Sequence, residues 1–436
     1  MIFKRYELTD TTHLDVYPTA KFKTGLLTMS MTLPADRERS PLTSFLMSIL
    51  RRGTEKYRSL RELDIALDEL YDTSLSMENF KVGDMHVFGF KASMLSEEYL
   101  FDSTDIISGV LEIMMQMLYH PLLDSDGYFN EKNFESEKIN ICDEIRSIKN
   151  STGAYASMRC REIMCADEPF GVTLIGDVDT VMQITREQLT RHLEFVLKNA
   201  HTSFSYVGAA DPDTVASKIR AALEKENTRF GAPNFKNTVI RHAPVQKRES
   251  EAMPVSQSKL LIGMRTGTHL GDDDYFSTLV FNEIFGSMQN SKLFLNVRER
   301  LGLCYSCYSS FNSYKGIIIA SAGISAKNRD AAESEIMNQL KKMQDGEISE
   351  AELEAAKKSI LSGYTSIYDR KSSIHKFHYG RSIAGINNKD IESSIRRVSK
   401  VSIADVIAAS RRVEPDTVFF LEGTDTSSRE GDESDE

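Results

Sequence analysis

The chain lacks the long apolar segments that a membrane anchor or a secretory signal would require. Its longest apolar stretches, such as residues 316–320, have only the length of a strand, whereas a helix that crosses a bilayer needs about 20 apolar residues. Residues 1–18 contain none of the apolar core that marks a signal peptide. We therefore expect a cytoplasmic protein that does not act at a membrane.

Positive charge is also scarce. The 53 lysines and arginines are outnumbered by 64 aspartates and glutamates, which gives a net charge of -11. A protein that binds nucleic acid needs a basic face to neutralise phosphates. This balance argues against nucleic acid as a partner, and a hydrophobic content of 41% is typical of a globular protein.

Cysteine is too rare and too irregularly spaced for a disulfide framework. An odd number of cysteines is expected for reduced thiols, and the five are Cys142, Cys160, Cys165, Cys304 and Cys307. Cys304 and Cys307 form a C-x-x-C, but the surrounding pattern predicts a strand rather than the strand-to-helix turn of a redox motif. We therefore expect neither a redox role nor a zinc site at this pair.

The sequence contains two similar halves. A chain of 436 residues is too long for one ordinary core, so two or more domains are expected. Near its end, each half has a capping-box helix and an apolar strand; the caps are Thr185 with Gln188 and Ser402 with Asp405, and the strands are 204–207 and 418–421. Earlier strands also correspond, residues 25–33 to 259–266 and residues 85–92 to 316–323. This order of elements predicts two similar α+β domains.

The boundary between the halves is predicted in a polar segment that contains prolines. Residues 224–255 show no sustained helical or strand period. We therefore predict an N-terminal domain over 1–222, a linker over 223–255 and a C-terminal domain over 256–423. Residues 424–436 are acidic and rich in Ser, Asp and Gly, and are predicted to be disordered.

The run 41–57, PLTSFLMSILRRGTEKY, reads as an apolar helix followed by a G-T turn and a tyrosine. It resembles a run in the pitrilysin and mitochondrial processing peptidase family, the inverzincins, in which an H-x-x-E-H helix precedes that turn. Ser44 and Ser48 match the two histidine zinc ligands, and Met47 matches the catalytic glutamate. Catalytic zinc needs about three protein ligands and a base for its water. Serine is a poor zinc ligand and a thioether is no base, so we expect no zinc and no autonomous peptide hydrolysis.

Residues 134–145, FESEKINICDEI, resemble the family segment that supplies the third zinc ligand. The resemblance matches Glu144 to that ligand and Glu137 to an accompanying carboxylate. Seven residues separate them, so both are predicted on one face of one helix. A single remaining carboxylate does not hold catalytic zinc, and we interpret both as solvated glutamates of an exposed helix.

Residues 291–305, SKLFLNVRERLGLCY, resemble the second-half motif of the same family, in which an arginine and a tyrosine stand seven residues apart. Arg298 and Tyr305 match that pair, and Gly302 and Leu303 match a glycine and a leucine that precede the tyrosine in the family. The resemblance implies that both side chains reach a bound peptide and that the tyrosine donates to the oxyanion of the tetrahedral intermediate. The alternative is a surface ion pair for the arginine and a packed tyrosine at a strand start.

Two further features of the second half predict structure rather than chemistry. Ser349 and Glu352 form a capping box at the start of an amphipathic helix. His375 and His378 lie three apart in a predicted helix, close enough to share a metal. No third ligand accompanies them, so we interpret them as ordinary polar positions of that helix.

The family resemblance implies an α+β protein with the pitrilysin/LuxS-like metallohydrolase fold. In that fold, two tandem homologous α/β-sandwich domains face each other across a peptide chamber. The combination of a lost metal motif and a retained Arg/Tyr pair is similar to the silent members of two-chain peptidases, in particular a branch from Gram-positive bacteria.

Two functions follow from this resemblance. In the first, the chain is the catalytically silent subunit of a heterodimeric zinc peptidase, whose H-x-x-E-H partner holds the zinc and whose substrates are unstructured peptides. In the second, it is a noncatalytic peptide-binding or assembly module. A lone peptidase with a site rebuilt from Glu137, Glu144 and histidines such as His86 has no motif to support it.

Overall fold

The computed structural model describes residues 3–227, 230–243, 245–386 and 390–424. The chain forms two compact units, each built around one β-sheet. Unit 1 consists of Met1–Arg146, Val172–Lys236 and Tyr368–Ile383, and unit 2 of Ser147–Gly171, Asn237–Ile367 and Ala384–Glu436. Within the described ranges, no helix is long and apolar enough to cross a membrane. Of the tail predicted to be disordered, residues 424–436, only Thr424 is described, and its backbone amide donates to the carbonyl of Met253 at 2.9 Å; residues 425–436 lie outside the described residues.

Unit 1 contains a mixed sheet. Its described strands are β1 (Lys4–Glu7), β2 (His13–Pro18), β3 (Thr24–Pro34), β4 (Ser74–Val82), β5 (Met85–Leu95) and β6 (His201–Gly208). They lie in the order β1-β2-β6-β3-β5-β4. β2 and β6 run parallel, and the other neighbours run antiparallel.

Unit 2 repeats this arrangement. Its described strands are β7 (Lys247–Met253), β8 (Ser258–Arg265), β9 (Cys304–Asn312), β10 (Ile317–Ile324) and β11 (Glu414–Gly423). Their order, β7-β11-β8-β10-β9, matches β2-β6-β3-β5-β4 strand for strand. Among the described strands of unit 2, one pair runs parallel, β7 with β11, and it occupies the equivalent place. The predicted duplication into two similar α+β halves is therefore confirmed.

The segment 223–255 was predicted to be a linker without regular structure. This was wrong for residues 247–253, which form strand β7. The side chains of this strand are polar and mostly exposed, so no apolar alternation indicated a strand. β7 is held instead by backbone pairing to β11, with Lys247 opposite Thr417 and Met253 opposite Gly423. An edge strand that pairs on one side needs no apolar face of its own.

Helices flank both sheets. They are α1 (Arg39–Leu50), α2 (Leu60–Asp68), α3 (Ile106–Tyr119), α4 (Glu131–Ser147), α5 (Thr152–Met164), α6 (Val178–Gln183), α7 (Arg186–Asn199), α8 (Pro212–Lys225), α9 (Tyr275–Asn282), α10 (Arg329–Gln344), α11 (Glu350–Ser366), α12 (Lys371–Ile383), α13 (Ile391–Ser399) and α14 (Ile403–Ser410). Two π-helical segments, Glu283–Ser287 and Phe294–Arg300, precede β9. The predicted capping boxes at Thr185, Ser349 and Ser402 are all present.

The two faces of the unit 1 sheet have opposite character. On β3, Leu27, Met29 and Met31 belong to the main hydrophobic core, where the sheet packs against helices such as α1 and α3. The alternate residues are polar and meet α12: the Thr32 hydroxyl lies 3.0 Å from that of Tyr379. This polar face explains why a helix from the second half of the sequence belongs to unit 1.

The unit 2 sheet receives α5 from the first half of the sequence in the same way. Leu261, Phe419 and Leu421 of the sheet form a buried cluster with Ala156 and Cys160 of α5. The compact units therefore differ from the contiguous domains predicted from the sequence, because each unit contains a helix from the opposite half. The predicted domain boundaries, 1–222 and 256–423, concern the repeat in the sequence and stay a prediction. The two compact units describe which segments pack together.

A buried group of charges anchors the α5 segment to unit 2. The Arg265 guanidinium donates to Glu168 at 2.7 Å and to Asp416 at 2.9 Å. The Lys315 ammonium lies 2.8 Å from the second Glu168 oxygen. All four side chains are almost fully buried. Two cations and two anions balance each other, and removing one would leave an uncompensated charge in the interior.

Candidate functional site

The helix that carries the degenerate metal motif is α1. The Asp36 carboxylate accepts hydrogen bonds from the backbone amides of Glu38 and Arg39 and so satisfies the start of the helix. Phe45 stacks on Phe134 of α4 with a centroid distance of 5.0 Å. This contact fixes α1 against the helix that carries the two glutamates of the motif.

Ser44 belongs to a chain of hydrogen bonds within unit 1. Its hydroxyl donates to the backbone carbonyl of Leu174 at 2.8 Å and accepts from the Asn79 amide at 3.0 Å. The Asn79 side-chain oxygen lies 2.5 Å from Nε2 of His86. Burial lowers the pKa of His86 to about 3, so the imidazole is neutral and donates from Nε2. The sequence motif did not indicate Asn79, which lies diagonally across the β4–β5 pair from His86, since Asn79 is opposite Phe88 and His86 is opposite Lys81.

The other two motif positions are equally unsuited to zinc. Met47 is only 2% exposed and is part of the hydrophobic core. The Ser48 hydroxyl makes a long bond of 3.4 Å to the carbonyl of Ser44, as serines within helices commonly do. The residues at these positions do not fit a zinc ion, because neither a histidine nor a base is present.

The two glutamates of α4 have different environments. Glu137 is buried and forms an ion pair with Arg52, and it also accepts a hydrogen bond from the Asn140 amide at 3.1 Å. Glu144 is exposed on the same helix. The interpretation of both as solvated was therefore wrong for Glu137, whose carboxylate is neutralised by Arg52. Among the described residues, no group of three or more His, Cys, Asp or Glu side chains is placed to hold a metal.

Arg298 lies on the π-helical segment Phe294–Arg300 of unit 2. Wider helical turns of this kind are uncommon and occur often at functional sites. The guanidinium lies over the ring of Phe294, 4.7 Å from its centroid, and 3.6 Å from the Glu299 carboxylate. Its side chain is 42% exposed, so neither contact withdraws it from solvent.

Tyr305 follows a tight turn and lies at a β-bulge. Gly302 has a φ of +60° and donates to the carbonyl of Arg298, which ends the helical segment and turns the chain into β9. In the pairing with β10, Gly323 lies opposite Ser306 and Ile324 opposite Cys304, so Tyr305 has no partner residue. Bulges re-aim side chains and recur beside active sites. Tyr305 is 72% exposed.

The same bulge places Cys304 and Cys307 on one side of the strand. Both are buried, and their thiols are hydrogen-bonded to each other. This bond lowers the pKa of Cys304, with Arg298 contributing, and raises the pKa of Cys307. The C-x-x-C lies in a strand, as predicted.

The two histidines of α12 contact different neighbours. His375 is buried, and its ring stacks on Tyr379 with Nδ1 3.5 Å from the Thr28 hydroxyl. Burial lowers the pKa of His375 to about 3. The His378 ring stacks on Tyr17 at 4.4 Å. Although they lie in one helix, the histidines pack as separate aromatic groups.

Sequence reasoning missed the exposure of several large apolar side chains around the Arg/Tyr motif. Leu295, Leu301 and Tyr308 are exposed together with Tyr305, all within 14 residues of the sequence. Monomeric proteins expose such residues singly, and groups of them mark binding sites. The apolar residues are visible in the sequence between Leu295 and Tyr308. The period of an α-helix could not show which of them are exposed, because part of this run forms a π-helix with wider turns.

Comparisons with known proteins agree with the motif. Residues 183–360 match the model of the Peptidase M16 inactive domain. The probable inactive metalloprotease YmfF of Bacillus subtilis is 30% identical over 413 residues, which cover 95% of this chain and 96% of that protein. The uncharacterized zinc protease YmfH of the same bacterium is 24% identical over 269 residues, 60% of each chain.

A solved structure shows the same fold. A conserved protein from Enterococcus faecalis superposes with a TM-score of 0.90 at 24% identity, over 97% of this chain and 99% of that one. The predicted resemblance to pitrilysin-type peptidases that lack the metal motif is thus confirmed. The chain belongs to the M16 metallopeptidase family and is a homologue of its inactive members.

Proposed function

We propose that this chain is the noncatalytic subunit of a heterodimeric zinc metallopeptidase that cleaves unstructured peptides. Its partner is a homologous subunit with an intact H-x-x-E-H motif, which holds the zinc. This chain supplies Arg298, Tyr305 and half of the peptide chamber, and needs no cofactor of its own.

The contrast between the two motifs supports this proposal most directly. Ser44 and Met47, at the metal positions, are 5% and 2% exposed and are engaged in packing or hydrogen bonds. Tyr305, by contrast, is 72% exposed on a bulge. Exposed apolar side chains grouped in the sequence around an exposed tyrosine and arginine are typical of a binding site. A scaffold that had lost every role in peptide binding would not require them.

The chemistry assigned to the pair follows from its donors. The partner's zinc would activate the attacking water. The Arg298 guanidinium has several N–H donors in a plane and can hold a peptide carbonyl. The Tyr305 hydroxyl can donate to the oxygen that becomes negative when the carbonyl is attacked. Such donors are worth roughly a hundredfold to a thousandfold in rate.

The relatives in Bacillus subtilis support the existence of a partner. One is named a probable inactive metalloprotease and another an uncharacterized zinc protease, so one genome encodes both kinds of relative of this chain. We expect the same of the organism that encodes this chain. A homologue with H-x-x-E-H is the first candidate for the partner.

A reconstitution experiment tests this proposal. The chain and the H-x-x-E-H homologue from the same source are purified, and their association is measured by analytical ultracentrifugation. Hydrolysis of a mixed pool of unstructured peptides is then measured for each chain alone and for the pair. We expect a 1:1 complex whose turnover exceeds that of the partner alone.

The alternative function predicts a different result. Peptide binding by the isolated chain, with neither association nor added turnover, would identify a noncatalytic peptide-binding or assembly module. Turnover by the isolated chain would contradict both functions.

A further inference from the structure

We propose that unit 2 contains a binding site for a peptide carboxylate, formed by Lys259 and the serines beside Tyr305. The inference rests on the proposed peptide-binding function and names the class of substrate. That class comprises peptides with a free C-terminal carboxylate or an acidic side chain close to the residue that Tyr305 contacts.

The site is a small cleft within unit 2. Lys259 of β8, Ser306 and Tyr308 of β9, and Ser321 of β10 line it, and Ser157 of α5 closes one side. Its volume is about 40 Å³. Since about 10 to 15 Å³ is enough for one water molecule, this space accepts a carboxylate group but no bulky side chain.

Lys259 provides the positive charge. It is partly buried and hydrogen-bonds the Gln257 side-chain oxygen. Within the described part of the chain, it has no carboxylate at ion-pair distance, and burial lowers its pKa. Lys292, another partly buried lysine of unit 2, lies 2.7 Å from Glu352. An ammonium that is partly removed from water without an anion gains from binding one.

Gly323 keeps the cleft open. A Cβ at this position would lie 2.9 Å from the Gln257 oxygen and 3.0 Å from the Ser306 hydroxyl. The glycine is not needed for a left-handed backbone, because its φ is outside the positive range. Its absent side chain therefore leaves space beside the two polar groups that bound the cleft.

The cleft adjoins the residue assigned to peptide binding. Ser306 follows Tyr305 directly and is the first residue to pair regularly after the bulge. The hydroxyls of Ser306 and Ser321 lie on the cleft without a hydrogen bond to another described residue. A carboxylate in the cleft can accept hydrogen bonds from the Lys259 ammonium and from these two hydroxyls. Hydrogen bonds to an ionised acceptor are stronger than those between neutral groups.

The test measures peptide binding to the full chain by fluorescence anisotropy. Three labelled peptides share one unstructured, uncharged sequence: one ends in a free carboxylate, one in an amide, and one in an amide with a glutamate before the last residue. We expect one or both acidic peptides to bind about tenfold more tightly than the neutral amide. The peptide that gains identifies the source of the carboxylate.

Variants assign the preference to the cleft. Lys259→Met should reduce it to less than twofold, and Gly323→Ala should weaken it by filling the space. Lys341→Met is the matched control, because it removes the same charge from an exposed side chain of α10 in unit 2, and it should retain the preference. Equal affinity for all three peptides, no binding of any, or a preference that persists in Lys259→Met would overturn the site.

The result is separable from the proposed subunit role. The subunit role is tested by measuring how fast the complex turns over neutral, amidated peptides. These peptides have no carboxylate for Lys259 to bind, so their turnover does not depend on the cleft. Turnover without a carboxylate preference would overturn the cleft alone. A carboxylate preference without turnover in the complex would overturn the subunit role alone.

Discussion

The segment at the degenerate metal motif and the segment with the Arg/Tyr pair differ in what their polar groups contact. On α1, the Ser44 hydroxyl is used twice within unit 1 and Met47 is packed in the core. In unit 2, Arg298 extends into solvent from the π-helical segment before β9, and Tyr305 does so from the bulge at the start of β9. The first region has become part of the fold, whereas the second retains irregular backbone and exposed donors that the fold itself does not use.

The largest expected effect is a loss of stability when a glutamate is placed at position 47, where the family has its catalytic glutamate. Met47→Glu places an unpaired carboxylate in the core and should reduce the free energy of unfolding by about 4 kcal/mol. Chemical denaturation measures this loss. Ser48→Glu, one residue further and partly exposed, is the control and should cost less than half as much. Equal stability of the Met47 variant and the wild type would show that α1 has not been absorbed into the core.

The Arg/Tyr pair should behave in the opposite way. Arg298→Ala and Tyr305→Phe should each lower turnover of the reconstituted complex by about a hundredfold, because a donor to the peptide or its oxyanion is lost. Steady-state kinetics and thermal melts check this, and the melting temperature should hardly change because both side chains are exposed.

Matched controls separate the pair from its surroundings. Arg300→Ala removes a neighbouring exposed arginine of the same segment, and Tyr99→Phe removes an exposed tyrosine hydroxyl in unit 1. Both should leave turnover within about twofold. Unchanged turnover in both Arg298→Ala and Tyr305→Phe would remove their assigned roles.

The hydrogen bonds of Ser44 predict a smaller loss of stability. Ser44→Ala removes the donor to Leu174 and the acceptor for Asn79 and should cost about 1.5 kcal/mol in urea denaturation. Ser48→Ala breaks only a long bond of 3.4 Å and should cost less than about 0.5 kcal/mol. A reversed order of these two losses would contradict the assignment of Ser44 to the network.

His86 predicts how stability depends on pH. Its pKa is about 3 in the folded chain and about 6.5 in the unfolded chain. The unfolded state therefore binds a proton first, and stability should fall as the pH drops from about 6.5 towards 3. Each such histidine contributes a slope of up to about 1.4 kcal/mol per pH unit. His86→Gln should reduce the slope in urea titrations between pH 6 and 4, and an unchanged slope would exclude this contribution.

The smallest effect is expected at the exposed glutamate of α4. Glu144→Gln should change neither the zinc content of the complex nor its turnover, because no zinc is expected in this chain. Metal analysis and kinetics on the same preparation check this. A loss of zinc or a large loss of turnover in this variant would reopen the assignment of a metal to unit 1.

The sequence predicted those features of the protein that depend on local residue patterns. The capping boxes, the repeated strands and the motif positions all follow from spacing over a few residues. The sequence did not predict strand β7, because this strand is held by backbone pairing to β11 and has no apolar alternation. The sequence did not predict the hydrogen bonds between Ser44 and Asn79 and between Asn79 and His86, because strands β4 and β5 lie far from Ser44 in the sequence and packing decides these contacts.

Two other features depend on packing between distant segments. The exchange of α5 and α12 between the halves reflects which sheet face each helix covers, and periodicity within a helix does not name its partner. The bulge at Tyr305 arises from a one-residue mismatch between β9 and β10. The sequence predicted a strand there but gave no sign of the direction of the side chain.

Zinc content and turnover, measured together, test the central claim most directly. Both are determined for the isolated chain and for its complex with the H-x-x-E-H homologue, by metal analysis and peptide hydrolysis on the same samples. The account predicts about one zinc per pair and activity in the pair, with neither in this chain alone. Zinc and activity in the isolated chain would contradict it.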